Sequence, residues 1–455
     1  MKSIYRMISA AALAIALMAP ASLQAGWYED LVESWGNPVF TPPSGGSIYY
    51  PTVLFDSEGF GGGEAGPFYR AWFSDGSNIG TAESDDGVAW FEGPDCTGLS
   101  NPHHARVLYD SKGFGDEDFG PRYRIWYWDT SKLYTVEAIR TAESDDGIDW
   151  YDDQPLLQDG AAPIVVGGGS GWNRGSYGPV HLFYQPGKPN FGTDPFDYEY
   201  VMYYDGTTGA FEQVGLAFSN DGVFWTRYGD DPVLTCGVDW SVHGAWGSPD
   251  PWDSSYAAFG SVIRDSDGIF HFWYSGGTKT VSEGIGYASS DDGIVWQKDE
   301  SNPFISKSDG TWYSKRAYTP SVLYDENRFS GRGDNSSFKM WFSGRDDAND
   351  YHLGYLGRSV ELPPEEEPSD DEGDGSNTVF PSEDAESEAD GEGSDEVSGA
   401  AVAGPDFSYM AGLGGNGGCS LGSGVSHGAP AACAMFCLMA LPLLMRRRMR
   451  SISSR

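Results

Sequence analysis

Short runs of aromatic and β-branched residues follow one another along this chain in a fixed order. An apolar run opens each round, at 51–54, 105–108, 179–182, 260–263 and 320–323. An alternating aromatic run comes next, at 69–73, 123–127, 200–204, 270–274 and 338–342. In the first four rounds a Ser-x-Asp-Gly turn then leads to a tryptophan, as in Ser84-Asp85-Asp86-Gly87 before Trp90, with counterparts ending at Trp150, Trp225 and Trp296. Alternation with a period of two marks strands packed on one face, and Asp-Gly supplies the positive φ of a tight hairpin. Each round is therefore predicted to be four short antiparallel strands. The turn glycines Gly87, Gly147, Gly222 and Gly293 stand 60 to 75 residues apart.

The fifth round stops early: after Leu353-Gly354-Tyr355 there is neither an Asp-Gly turn nor a tryptophan. The missing piece stands at the opposite end. Trp35-Gly36-Asn37-Pro38-Val39-Phe40 matches Trp296 with Asn302-Pro303, and Trp225 with Asp231-Pro232. An N-terminal strand is thus expected to complete the last unit, in the sheet of 338–342, which removes an exposed edge. Four-stranded units repeated five times and closed in this way predict an all-β chain: a five-bladed β-propeller over 26–360.

Charge and the chain ends add an address. The 455 residues carry 67 Asp+Glu against 28 Lys+Arg, a formal net charge of −39, which excludes ordinary binding to a phosphate backbone. Residues 1–25 read as a signal peptide: Lys2 and Arg6, an apolar stretch, then Leu23-Gln24-Ala25. Residues 361–428 read as a disordered linker, because 361–396 hold 16 Asp+Glu and no Lys or Arg. An apolar helix is expected from 429, with Arg446, Arg447, Arg448 and Arg450 fixing its cytoplasmic end. With Gly417-Gly418-Cys419 ahead of it, the segment to 450 resembles the C-terminal sorting tails of Gram-negative bacteria. That likeness implies a processing protease, a membrane contact through the tail, and a cell-surface destination; a plain single-pass anchor is the alternative. Export also permits a disulfide between Cys96 and Cys236.

The aromatic strand, the run Ile285-Gly286-Tyr287-Ala288-Ser289, the Asp-Gly-Ile-x-Trp turn and the following Asn-Pro recur, whole or in part, through all five units. In these the chain resembles the five-bladed propeller superfamily of arabinanases, β-xylosidases, invertases and levansucrases, glycoside hydrolase families 43 and 32. The Asp-box of sialidases is a competing likeness, but Asp86 and Gly87 are adjacent, one residue shorter than that box, and the units number five rather than six. The resemblance implies carboxylates on inner strands near the channel mouth. Here the positions opening the first strands are Tyr49, Tyr50, His103, His104, Tyr177, Tyr256 and Tyr318, none of them acidic. Pro249-Asp250-Pro251 comes nearest to the invertase signature and lacks its Arg.

Two functions from different classes stay open. One is recognition of a polysaccharide or glycan at the mouth without the usual catalytic carboxylates. Its candidate residues are Trp172, Arg174, Trp240, His243, Trp246, Asp250, Trp312, Arg316 and His104, since aromatic faces beside Asp, Asn and Arg suit a sugar ring. The other is a divergent glycoside hydrolase, its acid and base drawn from Asp239, Asp250 and Asp253 or from Glu83 and Glu143. Trp172, Trp252 and Trp312 also recur at nearly one register, as packing anchors would. No cofactor or metal is expected: His103, His104 and His181 are more simply satisfied by hydrogen bonds, and Asp-Asp-Gly lacks EF-hand spacing.

Overall fold

The computed structural model describes residues 31–33, 36–60, 66–115, 120–158, 163–165, 171–188, 192–237, 252–278, 281–308, 311–333 and 336–358. All of them belong to the first of two compact units, Met1–Phe407; the second is Ser408–Arg455. The signal peptide, the linker, the apolar tail, Trp35, Asp239, Trp240, His243, Trp246 and Asp250 lie outside the described residues. Those described are all-β apart from two short 3-10 turns, and none of their helices is long and apolar enough to cross a membrane.

After β1 (Leu31–Glu33) the strands come in antiparallel units. The first is β2 (Tyr49–Phe55), β3 (Tyr69–Asp75), β4 (Asn78–Ser84) and β5 (Trp90–Glu92). The second is β6 (Pro102–Tyr109), β7 (Tyr123–Asp129), β8 (Ile139–Ser144) and β9 (Tyr151–Pro155). In the third, β11 (Pro179–Tyr184), β12 (Tyr200–Thr207), β13 (Glu212–Ser219) and β14 (Phe224–Arg227) are antiparallel, and β10 (Leu157–Gln158) pairs with β14 in parallel. The fourth has β15 (Tyr256–Arg264), β16 (Phe270–Thr278) and β17 (Val281–Ser290), with β18 (Gln297–Lys298) and β19 (Ile305–Ser306) sharing its outer edge. The last has β20 (Arg316–Tyr324), β21 (Phe338–Arg345) and β22 (Tyr351–Arg358), and β1 is its fourth strand, Val32 lying opposite Gly357. Phe40 also exchanges backbone hydrogen bonds with Leu353, so the N-terminal segment does pair in the unit of 338–342.

The Asp-Gly turns form as the sequence implies, for a reason beyond glycine alone. Gly87, Gly147, Gly222 and Gly293 have φ between 73° and 81°. Ser84 Oγ accepts from Gly87 N–H, and Asp86 Oδ1 accepts from Val88 and Ala89 N–H. Burial opposes ionisation of Asp86, but those N–H groups outweigh it and hold the carboxyl below the usual range. Each turn in addition caps a neighbouring unit. Trp72 Nε1 donates to Gly147 O, Trp126 Nε1 to Gly222 O, the Tyr203 hydroxyl to Gly293 O, and Trp341 Nε1 to Gly87 O. The last of these joins the fifth unit to the first.

A second set of ties links the first strands. Ser321 Oγ accepts from Val53 N–H, Thr52 Oγ1 donates to Ala105 O, and Ser261 Oγ accepts from Val322 N–H. At the same register Arg106, 6% exposed, donates Nε to Val180 O at 2.7 Å, Nη1 to Pro51 O at 3.0 Å and Nη2 to Gly260 O at 3.2 Å. One guanidinium thus binds carbonyls of the first strands of the first, third and fourth units. Burial without a carboxylate lowers its pKa to about 10. The thiols of Cys96 and Cys236 are not joined by a disulfide; they belong to separate apolar clusters.

Candidate functional site

Each first strand carries an irregularity at one position. Tyr50, His104, Phe259 and Thr319 have φ of 51°, 50°, 41° and 52°, and Gly178 has 110°. The pairing with the second strand slips at that position in four units and between Pro179 and His181 in the third. Four of the five are not glycine, and such a conformation costs about 1–3 kcal/mol each. A bulge re-aims side chains, and here it gathers rings from different units. Tyr49, Tyr50, Phe259, Tyr318 and Tyr351 form one buried cluster, with Tyr177 half-buried against it. Ring centroids lie 5.0 Å apart for Tyr50 and Phe259, 6.2 Å for Tyr50 and Tyr318, 6.2 Å for Tyr177 and Phe259, and 6.4 Å for Tyr318 and Tyr351. His104 packs on Tyr50, Phe259 and Tyr177, and its Nδ1 is 2.6 Å from Tyr177 O. Burial drives the His104 pKa well below its ordinary value, so the ring is neutral.

The first strands carry no carboxylate; two carboxyls, Asp205 and Glu212, sit instead on the second and third strands of the third unit. The residue just after the aromatic run is Ser74, Trp128, Asp205, Ser275 or Ser343 in successive units. Ser74 and Ser275 each accept from a bulge N–H, of His104 and Thr319. Asp205 accepts from Tyr177 N–H of its own unit at 3.0 Å, and carries a carboxyl where three of its four counterparts have a hydroxyl. That substitution within the repeat was the available signal. Asp205 is fully buried and its Oδ2 has no hydrogen-bond partner. Glu212 opens β13 and forms the bridge to Tyr256 of β15, keeping part of its surface open. Since Asp205 faces Val214 across the ladder, Glu212 is its diagonal neighbour on the same face, with Cβ atoms about 7 Å apart. Burial raises both carboxyls, Asp205 well above the usual range with Glu212 pushing the same way, and Glu212 to about 8.

Arg316 and Arg345 stand beside Tyr318 and Tyr351 of the cluster. They are directly opposite each other on β20 and β21, with guanidinium carbons 5.9 Å from the Tyr318 ring and 5.2 Å from the Tyr351 ring, respectively.

The remaining expected residues are placed as follows. Trp172 is 4% exposed; it stacks on Tyr204 at 5.8 Å, donates Nε1 to Asp230 O, and covers Gly206 and Gly215. Trp252 covers Gly276 and Gly286, and Trp312 covers Gly344 and Gly354 in the same manner. The structure thus packs Trp172 and Trp312 on paired glycines, which leave flat floors that an indole fills; Trp172 is buried there and Trp312 half-buried. Arg174 is exposed, holds Thr208 O and stacks on Tyr134. Only His104 and Arg316, of the described candidates, belong to the aromatic cluster region. Among the suggested acids, Asp253 is held by Lys298 and by the Tyr274 hydroxyl, while Glu83 and Glu143 are paired with Arg70 and Arg124 on strands leading to the Asp-Gly turns. These are structural ion pairs. No group of three or more His, Cys, Asp or Glu among the described residues is placed to hold a metal ion.

No family model matches the chain, and no curated protein matches it in sequence. Solved structures with a similar arrangement of strands include a glycoside hydrolase at TM-score 0.48 and 15% identity, covering 71% of this chain and 92% of that one. A thermostable family-43 glycoside hydrolase is similar at 0.43 and 16%, over 71% and 99% of the two chains. An N-acetylgalactosamine deacetylase from F. plautii, in complex with blood group B trisaccharide, gives 0.45 and 16%, over 72% and 95%. At these values the chemistry has to be read from the chain's own residues.

Proposed function

We propose that residues 26–360 form a five-bladed β-propeller closed by its N-terminal strand, and that its channel mouth recognises carbohydrate. The observation that carries this reading is an aromatic wall from several units set with unsatisfied polar groups: the Tyr318 hydroxyl, Thr319 Oγ1 and Asp205 Oδ2 are buried without hydrogen-bond partners. Buried polar atoms are normally paired, and a sugar offers both an apolar face for the rings and hydroxyls for such atoms. The bond from Trp341 to Gly87 supports ring closure. Export by residues 1–25, and surface tethering through the 361–428 linker and the 429–450 tail after or without proteolytic processing, complete the proposal. Screening the full chain and Tyr177→Ala on a glycan array tests it: binding that Tyr177→Ala loses is expected, and binding indifferent to that change overturns the mouth assignment.

A second reading, a divergent glycoside hydrolase, is favoured by the Asp205–Glu212 pair. The two carboxyls lie as diagonal neighbours on one sheet face, and a carboxyl kept protonated at neutral pH is a general acid. Glu212, the accessible member, is the proton donor in this reading. Reducing-end release from the array's best ligand, abolished in Glu212→Gln, is the expected result; unchanged ligand after prolonged incubation counts against it.

A further inference from the structure

Arg316 and Arg345 are like charges placed directly opposite on paired strands, an arrangement that destabilises a sheet unless an anion lies between or above them. Both are half-buried, and Arg345 Nε is buried without an acceptor. Among the described residues neither guanidinium meets a carboxylate: the neighbours are the rings of Tyr318 and Tyr351. The ion pairs of the described residues take up Arg70, Arg124, Arg140 and Arg227 instead. In a chain of net charge −39, two arginines without carboxylate partners on one sheet face are not explained by solubility.

Their position relates them to the mouth. Arg345 stacks on Tyr351, which contacts Tyr318, which contacts Tyr50, and Tyr50 contacts Phe259 and so reaches Tyr177 and the Asp205 carboxylate. The Tyr50 hydroxyl lies within electrostatic reach of Glu212, Arg316, Tyr256 and Asp205 together. The mouth is thus polarised, with guanidinium groups on the fifth unit and carboxyls on the third. Between them the buried Tyr318 hydroxyl has no partner of its own. A neutral sugar needs no such cation pair, whereas a planar guanidinium matches an oxyanion with two parallel donors.

We propose that the mouth takes an acidic sugar, its oxyanion held by Arg316 and Arg345 while its ring and hydroxyls meet Tyr50, Tyr318 and the Glu212 side. This rests on the reading of the mouth as a carbohydrate site and names the class of ligand. The oxyanion is either a uronate carboxylate or a sulfate ester. The test is an array of paired oligosaccharides: uronates with their carboxyl-reduced counterparts, and sulfated sugars with their desulfated counterparts. It is probed with the full chain, Arg316→Met, Arg316→Lys and Arg345→Met, each checked by thermal melting. The full chain should bind an acidic member at least about ten-fold tighter than its neutral partner, and added salt should narrow the gap. Arg316→Met and Arg345→Met should reduce the preference below about three-fold, and Arg316→Lys should retain part of it while melting like the parent. The pair that shows the preference tells carboxylate from sulfate. Equal or tighter binding of neutral members overturns the acidic-sugar proposal and leaves the carbohydrate site standing. Absence of binding to every member overturns both.

Discussion

Glu212→Gln should make the protein more stable, and increasingly so as pH rises. The Glu212 carboxyl is raised by burial from an ordinary 4.5 to about 8. Between those values the folded chain holds a proton that the unfolded chain has released. The folded state thus binds more protons than the unfolded one, and stability falls as pH climbs through the window. The maximum slope is about 1.4 kcal/mol per pH unit. Because Glu212 keeps part of its surface open, solvent screening reduces the total, and about 2 kcal/mol at pH 8 is a reasonable magnitude. Gln keeps the shape and removes the ionisation. In a domain of this size the gain is about 3 °C in Tm at pH 8, shrinking towards zero near pH 4.5. Melting curves of both proteins between pH 4.5 and 8.5, compared as differences, set this carboxyl and its coupling to Asp205 apart from the turn aspartates, whose lowered values act in acid. A difference that is flat with pH, or a variant less stable at pH 8, refutes the reasoning.

Three other outcomes are expected. Trp341→Phe puts a smaller ring in a fully buried site and removes the indole donor to Gly87 O, which Trp90 Nε1 still reaches, and should cost about 1–3 kcal/mol in denaturant unfolding from the lost bond and the cavity together; a neutral result means the contact joining fifth and first units contributes nothing. Arg106→Met strips partners from carbonyls of the first strands of three units and should cost about 3–5 kcal/mol, with wild-type stability counting against Arg106 as a central tie. Deleting 411–455 should release the protein into the medium; retention in the membrane fraction refutes tethering through that tail.

The repeats were legible because each unit must solve the same local problem. Alternating aromatics, Asp-Gly and tryptophan dictate strands, turn and packing within about 40 residues, and the incomplete fifth unit with its detached partner at Val39 and Phe40 signalled the pairing with Leu353. The site was less legible, for two reasons. The recurring tryptophans at 172, 252 and 312 carry strong sugar-like chemistry, yet the glycines that receive their indoles lie tens of residues away on other strands, at 206, 276 and 344. Asp205 and Glu212 are separated by a hairpin and stand at ordinary places in the repeat. Only the ladder register brings them diagonal, and only the bulges turn the first-strand tyrosines towards them.

A structure of the full chain bound to an oligosaccharide selected on the array tests the central claim most directly. The account predicts a sugar ring against Tyr177, Phe259 and Tyr318, with an oxygen in hydrogen-bond distance of Glu212 and an oxyanion facing Arg316. A ligand seated instead on the outer surface, for example beside Tyr198, Phe218 and Phe224 where an open pocket lies, with the mouth unchanged, would contradict it.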